Sequence, residues 1–511
     1  MTSPAKSKSV KWLGRLLFAL ACLVTMFVLF CAEENWRGER AWNTYKHELE
    51  AKGVKLDWTA FIPPPVPDDQ NFAMTPFFAP FQNFDPATGK LRETDALKWA
   101  QGFAKSLPSV KSNGWRDGQC VDLVALRDAM QKPPGKEPAT AKSQFRTAQE
   151  RSAAAPSVLA ALKPYEPVIE ELRTASRRPH CRFNLNYATE NPAAIILPHI
   201  APLRNVCRIL TLRASAELAA GHPEQAMADL ELLFYMAGTT KNDFLIGHLV
   251  AVSILDMATQ IAWEGLVSRQ WSDAQLQSLQ ERFQNTDCLA GAWNALQAER
   301  AGFGSAMFDY LKKMPRKKLL SMLQISGGDP SLEPTGGSLI SAMIPTGWLD
   351  LEQVSYHRLF EEQLVPVFDM PNRRVYPQRS KQSESVFAKS GISCIWQHQV
   401  LSRLMLPAIA SIARKSAQAQ TTMDEAALAC AMERCRLAGG KFLDSLDALA
   451  LRFVVKLPHD IITGEPLKYR RDGDGYILYS VGWNEKDNGG VPDAKGDNAQ
   501  GDWVWQCPAK K

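Results

Sequence analysis

Between residues 484 and 502 the chain sets Glu485, Asp487, Asp493, Asp497 and Asp502 on a backbone loosened by Gly489 and Gly490. Calcium takes about six to eight hard oxygen ligands, and an acidic, flexible loop is compatible with such a shell. A solvated acidic loop has the same composition, and Lys486 and Lys495 dilute its charge, so both readings stand. The Asp472-Gly-Asp474-Gly run upstream is not an EF-hand, because its twelfth position is Trp483 rather than a bidentate glutamate. The second group with chemical promise is His357 and Glu361, four residues apart on one helix face with Glu362 alongside. It is the best acid/base pair in the chain. Pairs at this spacing also steady helices by about 0.2–0.5 kcal/mol without catalysing anything. His248 lies in an apolar helical run, which predicts a core histidine, and the adjacent His180-Cys181 lacks metal-ligand spacing. No G-x-S-x-G elbow, H-E-x-x-H, C-x-x-C, Walker A loop or G-x-G-x-x-G occurs.

The elements that would position these residues are mostly helical. Trp36, Arg40, Trp42, Tyr45 and Leu49 give a helix that stops at Gly53. Phe61 to Phe81 carries repeated prolines and aromatics, which predicts an extended arm packed on the protein's own surface or, alternatively, a strip for a partner. Residues 131–142 read as a linker. Residues 202–300 have the strongest helical periods, with Gly221 closing the first helix of a hairpin like one tetratricopeptide turn; no second copy follows at the ~34-residue period. Ser272 and Gln275 form a capping box. Residues 312–318 are a basic cluster, 326–337 a Gly/Pro loop, 348–365 a helix and 371–390 a polar, weakly structured stretch. A single helix is expected from Leu401 to Leu437, a short one over Phe442–Leu449, and a hairpin turning between Arg471 and Gly475.

From residue 400 onward the chain resembles the major pseudopilins of type II secretion systems. The resemblance rests on the long helix, Gly440-Lys-Phe-Leu-Asp-Ser-Leu446, Gly464-Glu-Pro466-Leu-Lys-Tyr469, Tyr479-Ser480-Val-Gly482 and the loop from Asn484 to Asp502. It implies an α+β module, a long helix with a small antiparallel sheet, whose last loop binds calcium. Carried over by position, Asp487 and Asp502 become the carboxylate ligands, with Asn484 and Ser480 as further oxygen donors. Glu485 and Trp503 depart from the family pattern, and the module's helix carries Arg403, Arg414 and Lys415 far from any apolar N-terminus. The fold is therefore expected as a reused terminal domain rather than as a filament subunit. The NWRGERAWNTYKHELEAKG and FIPPPVPDDQNFAMTP segments also resemble a family of single-pass bacterial membrane proteins, a likeness that brings no activity.

The chain's 511 residues are 45% apolar and 22% charged, which excludes wholesale disorder and a polytopic membrane protein. Four of its 59 basic residues (Lys6, Lys8, Lys11, Arg15) precede any acid, so the remainder carries 55 against 54. A body so nearly neutral gives no footprint for nucleic acid. Leu16 to Ala32 is uncharged, and with Leu13 and Gly14 it approaches the ~20 residues that span a ~30 Å hydrocarbon core. Cations before the run, Glu33 and Glu34 after it, and Trp12 and Trp36 at its ends predict a single-pass anchor with a cytoplasmic N-terminus in the bacterial inner membrane. The competing reading is a cleaved signal peptide, though Leu29 or Phe30 would occupy the position where cleavage wants a small residue. Eight cysteines fall in the body; Cys430 and Cys435, five apart on a helix, are too distant to bridge.

The expected division is a cytoplasmic tail (1–12), a transmembrane helix (13–32), an extracytoplasmic N-terminal region (33–195), a helical domain (196–325), a loop, helix and linker (326–399) and the α+β module (400–507). The expected fold class is mainly α. The expected function is a membrane-anchored structural or protein-interaction protein with a calcium-binding tip. The alternative is a membrane-tethered hydrolase with its site around His357 and Glu361.

Overall fold

The computed structural model describes residues 5–508, except 86–87, 104, 106, 109–113, 132–145, 188–190, 241–243, 316–317, 319–344, 390–391, 451 and 494–498. The linker from residue 132 and the 326–337 loop therefore lie outside the described residues. The chain is mainly helical, with two small antiparallel sheets.

Helix α1 runs unbroken from Ala5 to Ala51, and Gly53, at φ +81°, ends it where the sequence predicts. Its apolar side chains from Trp12 to Phe30 touch no core, whereas Glu34, Gly38, Trp42 and Leu49 are buried on one face. One helix thus has two environments, and the change falls at the end of the apolar run. A second helix, Phe244–Val267, is long and apolar enough to span a membrane but is mostly buried within the protein.

The proline-rich arm is extended only in part: Pro63–Pro67 forms no turn and Ile62 and Pro67 have extended backbone, while short 3-10 turns form at Trp58–Phe61, Asp68–Gln70, Phe72–Met74 and Ala79–Gln82, the last with Pro80 in its first positions. Phe72, Phe77, Phe78 and Phe81 are almost wholly buried, so the aromatics serve the protein's own core. Helices α2 (Asp95–Gly102), α3 (Leu123–Met130), α4 (Ala148–Leu162) and α5 (Glu166–Ala175) follow. The hairpin α6 (Ile200–Ala220) and α7 (Pro223–Thr239) turns at Gly221, whose φ of +83° suits glycine. Next come α8 (Phe244–Val267), α9 (Asp273–Gln284) with its Ser272/Gln275 capping box, and α10 (Cys288–Ala301). A π-helical turn, Gly302–Ala306, leads into α11 (Met307–Lys313).

Helix α12 (Gly347–Leu359) passes into a second π turn, Phe360–Leu364. The stretch 371–390 is more ordered than its composition suggests: β1 (Phe368–Asp369) pairs with β2 (Arg374–Val375), and α13 spans Pro377–Phe387. Its buried face is Ser380, Ser383 and Phe387, and serine gives no hydrophobic period. After α14 (Ile392–Trp396), the helix expected from 401 to 437 divides at Ser411 into α15 (Val400–Ala410) and α16 (Ile412–Gly439). Pro407 stands four residues before the break and removes a helix N–H. Only a 3-10 turn, Leu446–Leu449, forms where a short helix is expected.

Strands β3 (Lys468–Asp472), β4 (Gly475–Ser480) and β5 (Trp503–Cys507) make the second sheet in that order. Asp472 faces Gly475 across a two-residue turn in which Gly473 has φ +57°. Helix α16 lies along α9 and against α8 and α10, and also touches β4 and β5. One hydrophobic cluster therefore runs from Phe72 through Met423–Cys435 of α16 to Trp505 of β5, joining the two ends of the chain in one core. All ten cysteines are free thiols.

Candidate functional site

His357 sits on the last turn of α12 with no exposed surface. The Arg300 Nε donates to its Nδ1 at 3.1 Å, and its Nε2 lies 2.9 Å from the Gly304 carbonyl oxygen. A guanidinium only donates, so Nδ1 is the acceptor and Nε2 carries the proton given to Gly304. The ring is thus a neutral tautomer with both nitrogens engaged. Burial, and then the Arg300 charge, depress its pKa to about 3. Arg300, itself buried, also pairs with Glu361 at 2.5 Å and lies over the Phe360 ring. Trp42 of α1 stacks on the imidazole at 5.3 Å, which brings the N-terminal helix onto the cluster.

The two π turns shape this place. Gly304 lies in the first, and a Cβ there would come 2.4 Å from Tyr356 and 2.9 Å from His357, so the carbonyl reaches the imidazole only because residue 304 has no side chain. Glu361 lies in the second. The sequence pairs His357 with Glu361 directly; in the structure Arg300 stands between them. The arrangement holds a neutral histidine and a compensated guanidinium, and joins α1, α10 and α12. The buried Ser305 hydroxyl also lies 3.4 Å from the His357 Nε2, and Glu361, about a quarter exposed, is held by Arg300.

The acidic loop works in a similar inward manner. Both Asp502 oxygens accept the Asn488 N–H at 3.1 Å, and Oδ2 accepts the Gly490 N–H at 2.7 Å. Burial raises the Asp502 carboxyl, and these N–H bonds pull it down. Asp487 Oδ1 accepts from the Gly489 N–H and the Tyr479 hydroxyl. Asn484 Oδ1 accepts from Lys486, and the buried Ser480 Oγ accepts from Gly482. The structure brings Asp487 and Asp502 to the same short segment, 487–490, and leaves Asn484 and Ser480 capping turns of their own. Among the described residues no three Asp, Glu, His or Cys side chains gather as a cation would need. As arranged, the four oxygen donors accept from backbone N–H groups of the loop and its turns.

Sequence reasoning misses the strongest buried charge hubs. Glu264 of α8 accepts from the Val121 N–H, the Gln260 amide and the Ser215 hydroxyl, and pairs with Arg151. Asp229 of α7 joins Arg173 and Arg213. Acid residues inside apolar helical runs were the available signal, but their arginines come from distant segments. His248 is the core histidine expected: its Nε2 meets the Ser416 hydroxyl at 2.9 Å. No family model matches the chain, and no curated protein or solved structure does either.

Proposed function

We propose that this chain is a membrane-anchored structural or interaction protein, with α1 crossing the bacterial inner membrane once and the body on the extracytoplasmic side. The observation that carries the reading is the change of environment along α1: apolar and uncovered through Phe30, then docked on the body from Glu34. The helix is unbroken across the segment where a signal peptide would be cut. The charge order around the run supports a cytoplasmic N-terminus. In this reading the helix and three-stranded sheet at the C-terminus are a pseudopilin-like fold reused as a fixed part of the body, supported by the core that α16 shares with α8 and α9. The sealed state of His357 favours this reading over a tethered hydrolase.

Protease added to intact spheroplasts tests it. Digestion of the body with protection of an N-terminal tag is the expected result. A body resistant until the membrane is opened would reverse the orientation, and a body released into the periplasmic fraction would replace the anchor with a cleaved signal.

A further inference from the structure

The body meets α1 at the level where the apolar run ends. Glu34 and Asn35 follow Ala32 by two and three residues, about 3–5 Å at 1.5 Å per residue. The Asn35 side-chain oxygen accepts the Gly347 N–H at 2.9 Å, and Glu34 Oε2 accepts the Trp348 indole N–H at 2.9 Å. Helix α12 then rises alongside α1, with Trp42 on His357 and Arg358 over the Tyr45 ring. The start of α12 is therefore the membrane-proximal edge of the body.

A further segment is held along the first three turns of α12 from that edge, the Ser355 hydroxyl donating to the Gln397 carbonyl at 3.2 Å. The His398 ring packs edge-on to Trp348, with centroids 5.2 Å apart. The Glu352 carboxylate caps α15 by accepting the N–H groups of Val400 and Leu401 at 2.6 and 3.1 Å. What they hold there is apolar and uncovered: Trp396 is 74% exposed, Leu404 56%, and Ile395 and Val400 nearly half. Leu401, Leu406 and Ile409 bury the other side of α15, so the helix is apolar on both sides. With apolar residues on both faces, such a helix suits a second apolar medium. Arg403, the cation within the segment, folds back to Gln399 and to the Lys389 carbonyl instead of pointing outward.

We propose that Ile395, Trp396, Val400 and Leu404 form a second membrane contact, seated in the outer headgroup and acyl boundary of the bilayer that α1 crosses. The inference rests on α1 being a membrane helix. A tryptophan at such a depth suits the interface, with its ring among chains and its N–H toward headgroups. With α1 it gives the body two points of attachment, which fix its tilt over the membrane.

The full chain, reconstituted in vesicles of phosphatidylethanolamine and phosphatidylglycerol, tests this by photo-crosslinking. p-Benzoylphenylalanine replaces Leu20, Trp396, Leu404 or, as a control, the fully exposed Val455 of the C-terminal module. Lipid adducts at 20, 396 and 404, with background at 455, are expected. Adducts at 20 but only background at 396 and 404 would overturn the second contact and leave the anchor standing. Background at position 20 would overturn the anchor itself. Cross-links from 396 or 404 to another polypeptide would replace the bilayer with a protein partner. The four positions are exposed, and an unchanged melting profile for each variant confirms that the comparison is of folded proteins.

Discussion

Buried polar residues account for most of what is specific at single positions. Arg300 holds Glu361 and His357 together, so Arg300→Ala strands a half-buried carboxylate and opens a cavity. A loss of about 3–5 kcal/mol is expected, at the lower end because Glu361 is about a quarter exposed, and thermal or denaturant unfolding measures it. Asp502→Ala removes the acceptor of the Asn488 and Gly490 N–H groups and should cost about 1–3 kcal/mol, equally in calcium and in chelator. A loss seen only in calcium would restore the ligand reading of Asp487 and Asp502. Titration gives a third expectation. Burial, then the Asp460 charge, hold the Glu425 carboxyl well above its usual range, and its Oε1 has no hydrogen-bond partner. Burial likewise raises Glu299 and Asp424 to about 7. A raised carboxyl contributes stability that is fully present below the unfolded value near 4.5 and is lost as pH rises through the folded one. His357 and His248, depressed by burial to about 3 and about 4, contribute stability present above 6.5 and lost as pH falls. The two sets oppose each other between about 4.5 and 6.5; above 6.5 the carboxyls act alone. The melting temperature should fall from pH 6.5 to 8, and Glu425→Gln should flatten that fall. The sequence shows His357 and Glu361 as neighbours on one helix but not Arg300, because that residue lies 57 positions away and only packing brings it close.

At the scale of elements, α1 and α12 pack backbone to backbone. A Cβ on Gly38 would lie 2.2 Å from the Gly347 carbonyl oxygen, and backbone cannot yield as a side chain does. Gly38→Leu should therefore part the helices, cost about 1–3 kcal/mol and speed amide exchange in α12 while leaving α6 and α7 protected. Elements written in local chemistry were legible: the stop at Gly53, the hairpin closed by Gly221, the capping box at Ser272 and the tight turn at Gly473. Elements whose reasons are tertiary were not. Helix α13 buries serines that hydrogen-bond carbonyls, as Ser383 does to Gln363, so it shows no apolar stripe. Strand β5 exists because Trp503, Trp505 and Cys507 find β4 and the core, and its five residues carry no turn signal that marks a strand. The π turns at 302–306 and 360–364 leave no period to read.

At the scale of the whole molecule, the proposed anchor makes one continuous helix serve both the membrane and the body's packing. The uncovered apolar surface of α1 is compatible with the first role; the second rests on Glu34, Trp42 and Leu49, which bind it to α12 and to the cluster containing Leu56 and Val354. The anchor would then be an immobile extension of the body rather than a tether on a flexible linker. The intact mass of the chain recovered from carbonate-washed membranes tests this most directly. The full 56.8 kDa, with residues 1–32 in place and retained in the membrane fraction, is expected. A shorter chain beginning just after Ala32 and found in the wash would contradict it.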